Sequence, residues 1–311
     1  MLTTRRDADE RPAQLNATVI AEFRDRGFIA VPHVAPLTEL ELLRTVFDRL
    51  FAERAGRQEG AHFDMLGDDS DKSALALPTI INPINYAPEL RHLQVRKNAN
   101  AIARQLLGPG ATNSFEHVIL KPAREGGVTP WHQDEAYRVD PGFAYEQVSV
   151  WVPLQDVTLE NGCMAFVPGS HRLGVLPHRS AGGDSRVHAI ECSGEFDHTA
   201  AIACPLSAGG ATVHHGRTLH FAGSNRSDAP RYAYILIFEI PPEPTLERRD
   251  SSWNGRRQTA NMLRKRHWRL RGGLVVEAYR NLRSGTWCQP ARLRYELRRA
   301  LRVLRLLIGR S

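Results

Sequence analysis

Short strand-like runs broken by turn residues fill the middle of this chain, and they restrict its fold more than any other feature. Each run is rich in apolar residues, and clusters of Gly, Pro, Asn and Asp separate one run from the next. Many short strands with frequent turn signals are typical of antiparallel sandwiches, jelly rolls and barrels. We therefore predict a mainly β core over about residues 111–241. The runs are Phe115–Lys121, Gln147–Leu154, Met164–Pro168, Thr212–His215 and Tyr232–Ile240.

Helical patterns precede this strand-rich region. Residues 13–27 form one amphipathic pattern that ends at a glycine, and the short apolar run 28–32 that follows stops at a proline. A second helix is expected to begin at Leu37, because leucine, valine and phenylalanine recur at helical spacing after it. A third helical segment covers 88–107, whereas 56–73 is rich in Gly, Asp and His and predicts a loop.

The bulk composition is that of an ordinary globular protein. The chain has 311 residues, of which 42% are hydrophobic and 24% charged, so one large domain or two small ones can form a core. It lacks a run of about 18 apolar residues, and its polar start lacks a secretory signal, so we expect neither a membrane span nor export. Scattered cysteines without CxxC pairs favour reduced thiols in a cytoplasmic protein. The cysteines are Cys163, Cys192, Cys204 and Cys288.

The net charge of +7 is concentrated at the C-terminal end. Residues 245–311 contain 18 Arg and Lys against 4 Asp and Glu, whereas the first 244 residues carry a net charge of −7. Apolar residues recur on one helical face among these arginines, so we predict a basic helical C-terminal extension over 245–311. The face comprises Leu293, Leu297, Leu301, Leu304 and Ile308.

Several roles are open for this extension. It is a solvated amphipathic helix packed on its own domain, a peripheral contact with an anionic membrane surface, or a recruiting surface for an acidic partner. Nucleic acid is a further alternative, but the sequence contains no nucleic-acid-binding motif, so we expect no nucleic-acid partner.

The sequence Trp131-His132-Gln133-Asp134 carries the clearest chemical signal. A His-x-Asp pair on an extended segment projects both side chains to one face, because strand side chains repeat every two residues. A further histidine, His220, supplies a third ligand, and Arg231 follows it by eleven residues. Two imidazoles and one carboxylate on one face of a metal form the facial triad of non-haem Fe(II) oxygenases, which leaves coordination positions open. The upstream His214 and His215 compete with His220 for the third position.

These motifs occur in the order found in the phytanoyl-CoA dioxygenase family of Fe(II)/2-oxoglutarate-dependent oxygenases, and the chain resembles that family over roughly residues 15–240. The resemblance implies a double-stranded β-helix core (a cupin-like jelly roll) with flanking N-terminal helices, in a dioxygenase domain at 15–244. The matching pieces are Arg26–Pro32, Trp131–Asp134, Trp151–Leu154, Asn161-Gly162, Val167–His171, Leu219-His220, Asn225–Ser227 and Arg231.

By this resemblance His132, Asp134 and His220 hold the iron. Arg231 then pairs with the distal carboxylate of 2-oxoglutarate, since a planar guanidinium grips a carboxylate with two hydrogen bonds. The family spacing from the distal histidine to Arg231 favours His220 over the upstream histidines, and Arg226 is the alternative anchor. The presence of Asp134 also favours hydroxylation over halogenation, because the family's halogenating relatives replace this aspartate with a small residue.

Two interpretations are open for each of several other residues of the predicted pocket. Lys121 and His117 lie on the strand before the triad strand, where each either touches the cosubstrate or faces the surface. Trp151 either lines the pocket or belongs to the core. Ala222 departs from the family, because relatives often have a serine two residues after the distal histidine. One hydrogen bond to the cosubstrate is therefore expected to be missing.

The implied activity is hydroxylation of a small organic substrate with Fe(II), 2-oxoglutarate and O2, and with release of succinate and CO2. Desaturation, epoxidation or cyclisation by the same class of enzyme is one alternative. A catalytically silent jelly-roll module recruited through its basic tail, or a cupin-like metal isomerase that ignores 2-oxoglutarate, is an alternative outside that class. The substrate stays open between lipid-like molecules and natural-product scaffolds. The segments 56–73 and 135–146 are candidate lids over the site.

Overall fold

The computed structural model describes residues 12–69, 75–124, 126–246 and 249–283. Its helices are α1 (Ala17–Arg26), α2 (Leu37–Ala52), α3 (Gln94–Leu107), α4 (Ser252–Arg256), α5 (Ala260–Trp268) and α6 (Leu274–Arg283). Its strands are β1 (Phe28–Val31), β2 (His62–Asp64), β3 (Pro78–Ile81), β4 (Thr112–Lys121), β5 (Thr129–His132), β6 (Phe143–Ala144), β7 (Gln147–Pro153), β8 (Met164–Phe166), β9 (His178–Ser180), β10 (Ile190–Cys192), β11 (Ile202–Cys204), β12 (Ala211–His215), β13 (His220–Ala222), β14 (Arg231–Glu239) and β15 (Glu243–Pro244).

Two antiparallel sheets form the core. The larger sheet has the strand order β1-β12-β7-β14-β4-β3-β2, and the smaller has the order β11-β8-β13-β5. Side chains from both sheets meet in one hydrophobic cluster, which includes Trp151 and Ile235 of the larger sheet and Met164 and Phe166 of the smaller. The mainly β, jelly-roll core predicted from the strand pattern is confirmed.

The central strand β14 separates two layers of packing. Its successive side chains point alternately to the space between the sheets and to the opposite face, as the two-residue repeat of a strand requires. On that opposite face the larger sheet packs against α2 and α3. Strand β14 contributes Ala233, Ile235 and Ile237 to the first layer and Tyr232, Tyr234, Leu236 and Phe238 to the second.

The N-terminal helix is shorter than its amphipathic pattern predicts. The Asn16 side chain accepts a hydrogen bond from the Val19 amide at 2.9 Å, so α1 begins at Ala17 instead of residue 13. Its end at Gly27 matches the prediction, because this glycine adopts the left-handed conformation with φ 82°. The predicted helix at 88–107 also splits, since a short 3-10 turn precedes α3.

The described part of the C-terminal segment folds back onto the β core. The Trp253 indole donates a hydrogen bond to the Ala136 carbonyl at 2.9 Å. Arginines of the segment form ion pairs with acidic residues of the core, of which the pairs Arg249–Glu135 and Arg280–Glu59 are each 2.6 Å long. Within the described ranges, none of the helices is both long enough and apolar enough to cross a membrane. The leucine-rich face predicted at 293–308 lies outside the described residues, and the domain boundary at residue 244 stays a prediction.

Candidate metal centre

Strand pairing brings the three predicted ligands together. His132 ends β5 and His220 begins β13, and the two are directly opposed in the antiparallel β5–β13 pair. Asp134 follows two residues after His132, where a 3-10 turn over Asp134–Tyr137 begins. One potential ligand atom of each residue lies within 4.8 Å of the others. The Asp134 Oδ1 atom is 3.7 Å from the His132 Nε2 atom and 3.5 Å from the His220 Nε2 atom.

Backbone carbonyls fix the orientation of both imidazoles. The Nδ1 atom of His132 lies 2.8 Å from the Pro130 carbonyl oxygen, and that of His220 lies 2.9 Å from the Thr218 oxygen. Because a carbonyl only accepts, each Nδ1 must donate, and each Nε2 lone pair is left to face the centre. Burial, with a smaller contribution from the neighbouring His220, lowers the pKa of His132 to about 3. His132 is therefore neutral at physiological pH, as a metal ligand must be.

The carboxylate of Asp134 is held from the opposite side. Its Oδ2 atom accepts hydrogen bonds from the Ser149 hydroxyl at 2.5 Å and from the His214 Nε2 atom at 3.2 Å. Burial opposes ionisation of this carboxyl, but the neighbouring His220 and the hydrogen bond from His214 outweigh that effect and hold its pKa well below the ordinary value. Since Oδ2 is occupied in this way, Oδ1 is the atom turned toward the two histidines.

The two histidines that compete with His220 in the sequence have other partners. His214 braces Asp134, and burial lowers its pKa to about 4, so it donates to the carboxylate as a neutral imidazole. His215 points to the other side of β12, where its Nε2 atom lies 3.2 Å from Glu146. Neither belongs to the group of residues that can share a metal ion with His132 in the described part of the chain.

Arg231 lies further into the space between the sheets. It begins β14 opposite Lys121 of β4, and its guanidinium carbon is 5.3 Å from the centroid of the Trp151 ring. The side chain is 2% exposed, and its Nε atom has no hydrogen-bond partner among the described residues. Burial lowers the pKa of Arg231 to about 9. A buried guanidinium of this kind fits an anionic ligand that supplies the missing negative charge. The alternative anchor, Arg226, is exposed.

Of the remaining pocket residues of the sequence prediction, Lys121 is buried and His117 is half-buried. The Lys121 ammonium donates to the backbone oxygens of Ala222 and Gly223, and burial together with Arg231 lowers its pKa to about 6. Ala222, where the family resemblance leads us to expect a serine, thus contacts this buried lysine through its backbone oxygen. His117 lies in the cavity wall, where burial lowers its pKa to about 4. Neither Lys121 nor His117 faces the outer surface of the protein, which is the alternative position that the sequence analysis allows for both residues.

A cavity of about 1040 Å³ opens at His132 and Asp134. Both predicted lid segments contribute to its lining, through Phe63 and Met65 from one and Tyr137 and Arg138 from the other. The C-terminal helices form a further part of the wall. The residues of that part are Arg257, Lys265, Trp268, Arg269, Glu277, Arg280 and Arg283. Sequence reasoning allowed for packing of this segment on its own domain but missed its contribution to the cavity wall, because a charge count does not show which residues face a cavity.

Comparison with known proteins settles the family. The family model described as phytanoyl-CoA dioxygenase matches residues 23–233, which is more than half of the chain. The chain belongs to the phytanoyl-CoA dioxygenase family. Phytanoyl-CoA dioxygenase domain-containing protein 1 of Danio rerio is 33% identical over 140 residues, which cover 42% of this chain and 45% of the relative. The chain thus spans about half the length of the curated relatives it matches.

Solved structures of similar proteins extend over more of the chain. EvdO2 from Micromonospora carbonacea var. aurantiaca is 36% identical with a TM-score of 0.67, and the match covers 78% of this chain and 98% of EvdO2. EvdO2 has also been solved in complex with 2-oxoglutarate. The epimerase SnoN, solved with Fe3+, alpha ketoglutarate and nogalamycin RO, is 26% identical with a TM-score of 0.57 over 72% of this chain and 83% of SnoN. These matches cover 78% and 72% of this chain, respectively, which is more than the curated relative matches.

Proposed function

We propose that this protein is an Fe(II)/2-oxoglutarate-dependent dioxygenase that hydroxylates a small organic substrate, consuming 2-oxoglutarate and O2 and releasing succinate and CO2. The observation that carries the proposal is the convergence of two imidazole nitrogens and one ionised carboxylate at the wall of the cavity. This donor set suits Fe(II) and leaves positions open for other ligands. When bound, the iron supplies the activation of O2 and the oxidation of an unactivated C–H bond.

In this proposal the ligands are His132, Asp134 and His220. Backbone carbonyls hold the two rings with Nε2 facing the centre, and hydrogen bonds to Oδ2 of Asp134 turn Oδ1 toward them. The ligand atoms are thus oriented before any metal arrives, which reduces the cost of ordering them on binding.

The proposed anchor of 2-oxoglutarate is Arg231. A dicarboxylate reaching into the space between the sheets would neutralise this buried guanidinium and hydrogen-bond to it. Trp151 stacks on the guanidinium, and Lys121 is its cross-strand neighbour, so both belong to the proposed cosubstrate site. No acidic side chain forms an ion pair with Arg231 in the described ranges, so the anchor is available to the cosubstrate.

A natural-product scaffold is the proposed substrate class. The cavity is of the size that binds such molecules, and the similar protein SnoN has been solved with nogalamycin RO. Because SnoN is described as an epimerase, an oxidation that ends without net hydroxylation is the second candidate reaction. The mass of the product distinguishes the two, since hydroxylation adds one oxygen atom and epimerisation adds none. A catalytically silent module is disfavoured by the complete set of converging ligands.

Anaerobic titration with Fe(II) and 2-oxoglutarate tests the proposal. Chelation of Fe(II) by the 2-oxo acid gives a weak visible charge-transfer band, which we expect in the wild-type protein. Arg231→Ala should weaken 2-oxoglutarate binding by roughly 10- to 100-fold, as expected for loss of a charge-assisted bidentate contact. Arg226→Ala, at an exposed arginine, is the matched control and should leave the band unchanged. Thermal melting of each apoprotein reports whether the variant is folded.

Every alternative result of this titration contradicts a specific part of the proposal. Iron binding without the band would show that the metal site exists and that the cosubstrate assignment is wrong. A band that is equally strong in Arg231→Ala would refute the anchor alone. Absence of iron binding would refute the dioxygenase and favour a binding module.

A further inference from the structure

A second buried guanidinium lies in the cavity wall, outside the part of the chain that the family model matches. Arg257 follows α4 and lines the cavity, yet its side chain is only 8% exposed. A charge this deep is normally paired with an opposite charge, because removing an ion from water is costly.

Neutral groups alone hold Arg257 in place. Its Nη1 atom donates to the His188 carbonyl oxygen at 2.8 Å, and its Nη2 atom donates to the Asn254 side-chain oxygen at 2.6 Å. Among the described residues, Nε has no hydrogen-bond partner and no carboxylate forms an ion pair with this guanidinium. These two bonds use two of the five N–H donors of an arginine. The remaining N–H groups of Nη1 and Nη2, together with the charge, are therefore left for a ligand, whereas Nε is buried.

Three other arginines in the same wall are neutralised by carboxylates of the protein. Arg96 is paired with Glu116, Arg138 with Glu239, and Arg280 with Glu59. Those pairs account for their burial without any ligand. Arg257 has no such carboxylate partner among the described residues, and burial lowers the pKa of its guanidinium.

One aromatic ring separates Arg257 from the candidate metal centre. The guanidinium carbon is 5.3 Å from the centroid of the Tyr137 ring, and that ring is 6.0 Å from the His132 ring. All three residues line the cavity. A substrate bound beside the metal centre in this cavity is therefore within reach of Arg257. Arg231, by contrast, stacks on Trp151 in the space between the sheets, so the two guanidinium groups occupy different parts of the molecule.

We propose that Arg257 binds an anionic oxygen group of the primary substrate, so that the substrate is an acidic small molecule carrying a carboxylate, phosphate or sulfate. This inference rests on the proposed function and narrows its substrate class. The C-terminal segment then determines specificity, because it supplies the counter-charge that selects acidic molecules over neutral ones of similar shape.

The test uses the full-length protein loaded anaerobically with Fe(II) and 2-oxoglutarate. Sulfate, inorganic phosphate and acetate are the probes, each titrated at constant ionic strength against chloride, with the thermal unfolding midpoint as the readout. Wild type should show saturable stabilisation, and Arg257→Gln should weaken it by roughly tenfold or more, because one charged contact is lost. Arg256→Gln changes the exposed neighbouring arginine and should bind the probes as wild type does. The order of affinity among the probes indicates which acidic group the substrate carries.

The charge-transfer band, recorded on the same samples, separates the two proposals. A band that persists in Arg257→Gln while anion affinity falls supports the inference. Loss of the band in Arg257→Gln would place Arg257 in the cosubstrate site and overturn the inference, whereas absence of the band in wild type refutes the dioxygenase itself. The inference would also be overturned if Arg256→Gln and Arg257→Gln bound the anions equally well. Absence of saturable anion binding in the wild-type protein would overturn it too. If Arg257→Gln does not fold, Arg257→Lys decides, since it keeps the charge and should bind the probes several-fold more weakly.

Discussion

Removal of the Ser149 hydroxyl should weaken metal binding although Ser149 is not a ligand. Its hydroxyl is 2.5 Å from the Oδ2 atom of Asp134, and it shares that oxygen with His214. A hydrogen bond to a charged group is worth roughly 1.5–3 kcal/mol, and each 1.4 kcal/mol corresponds to about a tenfold change in affinity. If the bond serves mainly to orient the carboxylate, Ser149→Ala should reduce Fe(II) affinity by about 10- to 100-fold, the range typical of groups that orient metal ligands.

Anaerobic Fe(II) titration of the apoprotein measures this change directly. His214→Phe keeps a ring in place but removes the longer, 3.2 Å hydrogen bond, so a smaller loss of affinity is expected. Ser114→Ala is the matched control, since Ser114 lines the cavity and its hydroxyl donates instead to the Ile237 carbonyl oxygen. The melting temperature of each apoprotein separates lost orientation from lost folding. An Fe(II) affinity of Ser149→Ala within twofold of wild type would refute the reasoning.

Three further outcomes are expected. Asp134→Ala should abolish 2-oxoglutarate consumption while circular dichroism stays unchanged, and retained turnover would contradict its role as a ligand. Burial lowers the folded-state pKa of His62 to about 4 and of His188 to about 3, below the ordinary 6.5. Because the unfolded chain takes up protons on these histidines before the folded protein does, their contribution to stability is complete above pH 6.5 and is lost as the pH falls toward 4. The melting temperature should therefore drop over that pH range. The drop should be smaller in His188→Phe. Gly27→Ala places an alanine at φ +82° with its Cβ 2.4 Å from His171, which should cost roughly 1–2 kcal/mol or more in chemical denaturation.

Much of the metal centre could be predicted from local sequence. The two-residue repeat of a strand explains why His132 and Asp134 reach the same side, and the ordered family motifs select His220 over nearer histidines. The cross-strand position of His220 opposite His132 then follows from the fold. The family resemblance also led to Arg231, whose buried environment fits the predicted anionic ligand.

The brace on Asp134 could not be predicted in the same way. Ser149 and His214 are 65 residues apart, and they meet because β7 and β12 pair with these two residues directly opposed. A shift of that register by one residue would turn one of them to the helix-covered face of the sheet. The sequence pattern of either strand alone does not specify the register, so the brace becomes visible only in the folded chain.

The described part of the C-terminal segment packs on its own domain, which is one of the alternatives that its sequence leaves open. Its 18 basic and 4 acidic residues also suggest a surface for membranes or acidic partners. In the described part, Arg249 instead pairs at 2.6 Å with Glu135, the residue next to Asp134, and Arg264 pairs with Asp69 of a predicted lid segment. The net charge of −7 on the first 244 residues thus finds part of its counter-charge within the same chain. Arg257 lies on the same segment and has no carboxylate partner among the described residues. Packing of the segment on the core therefore places an uncompensated positive charge in the cavity wall, beside the metal centre.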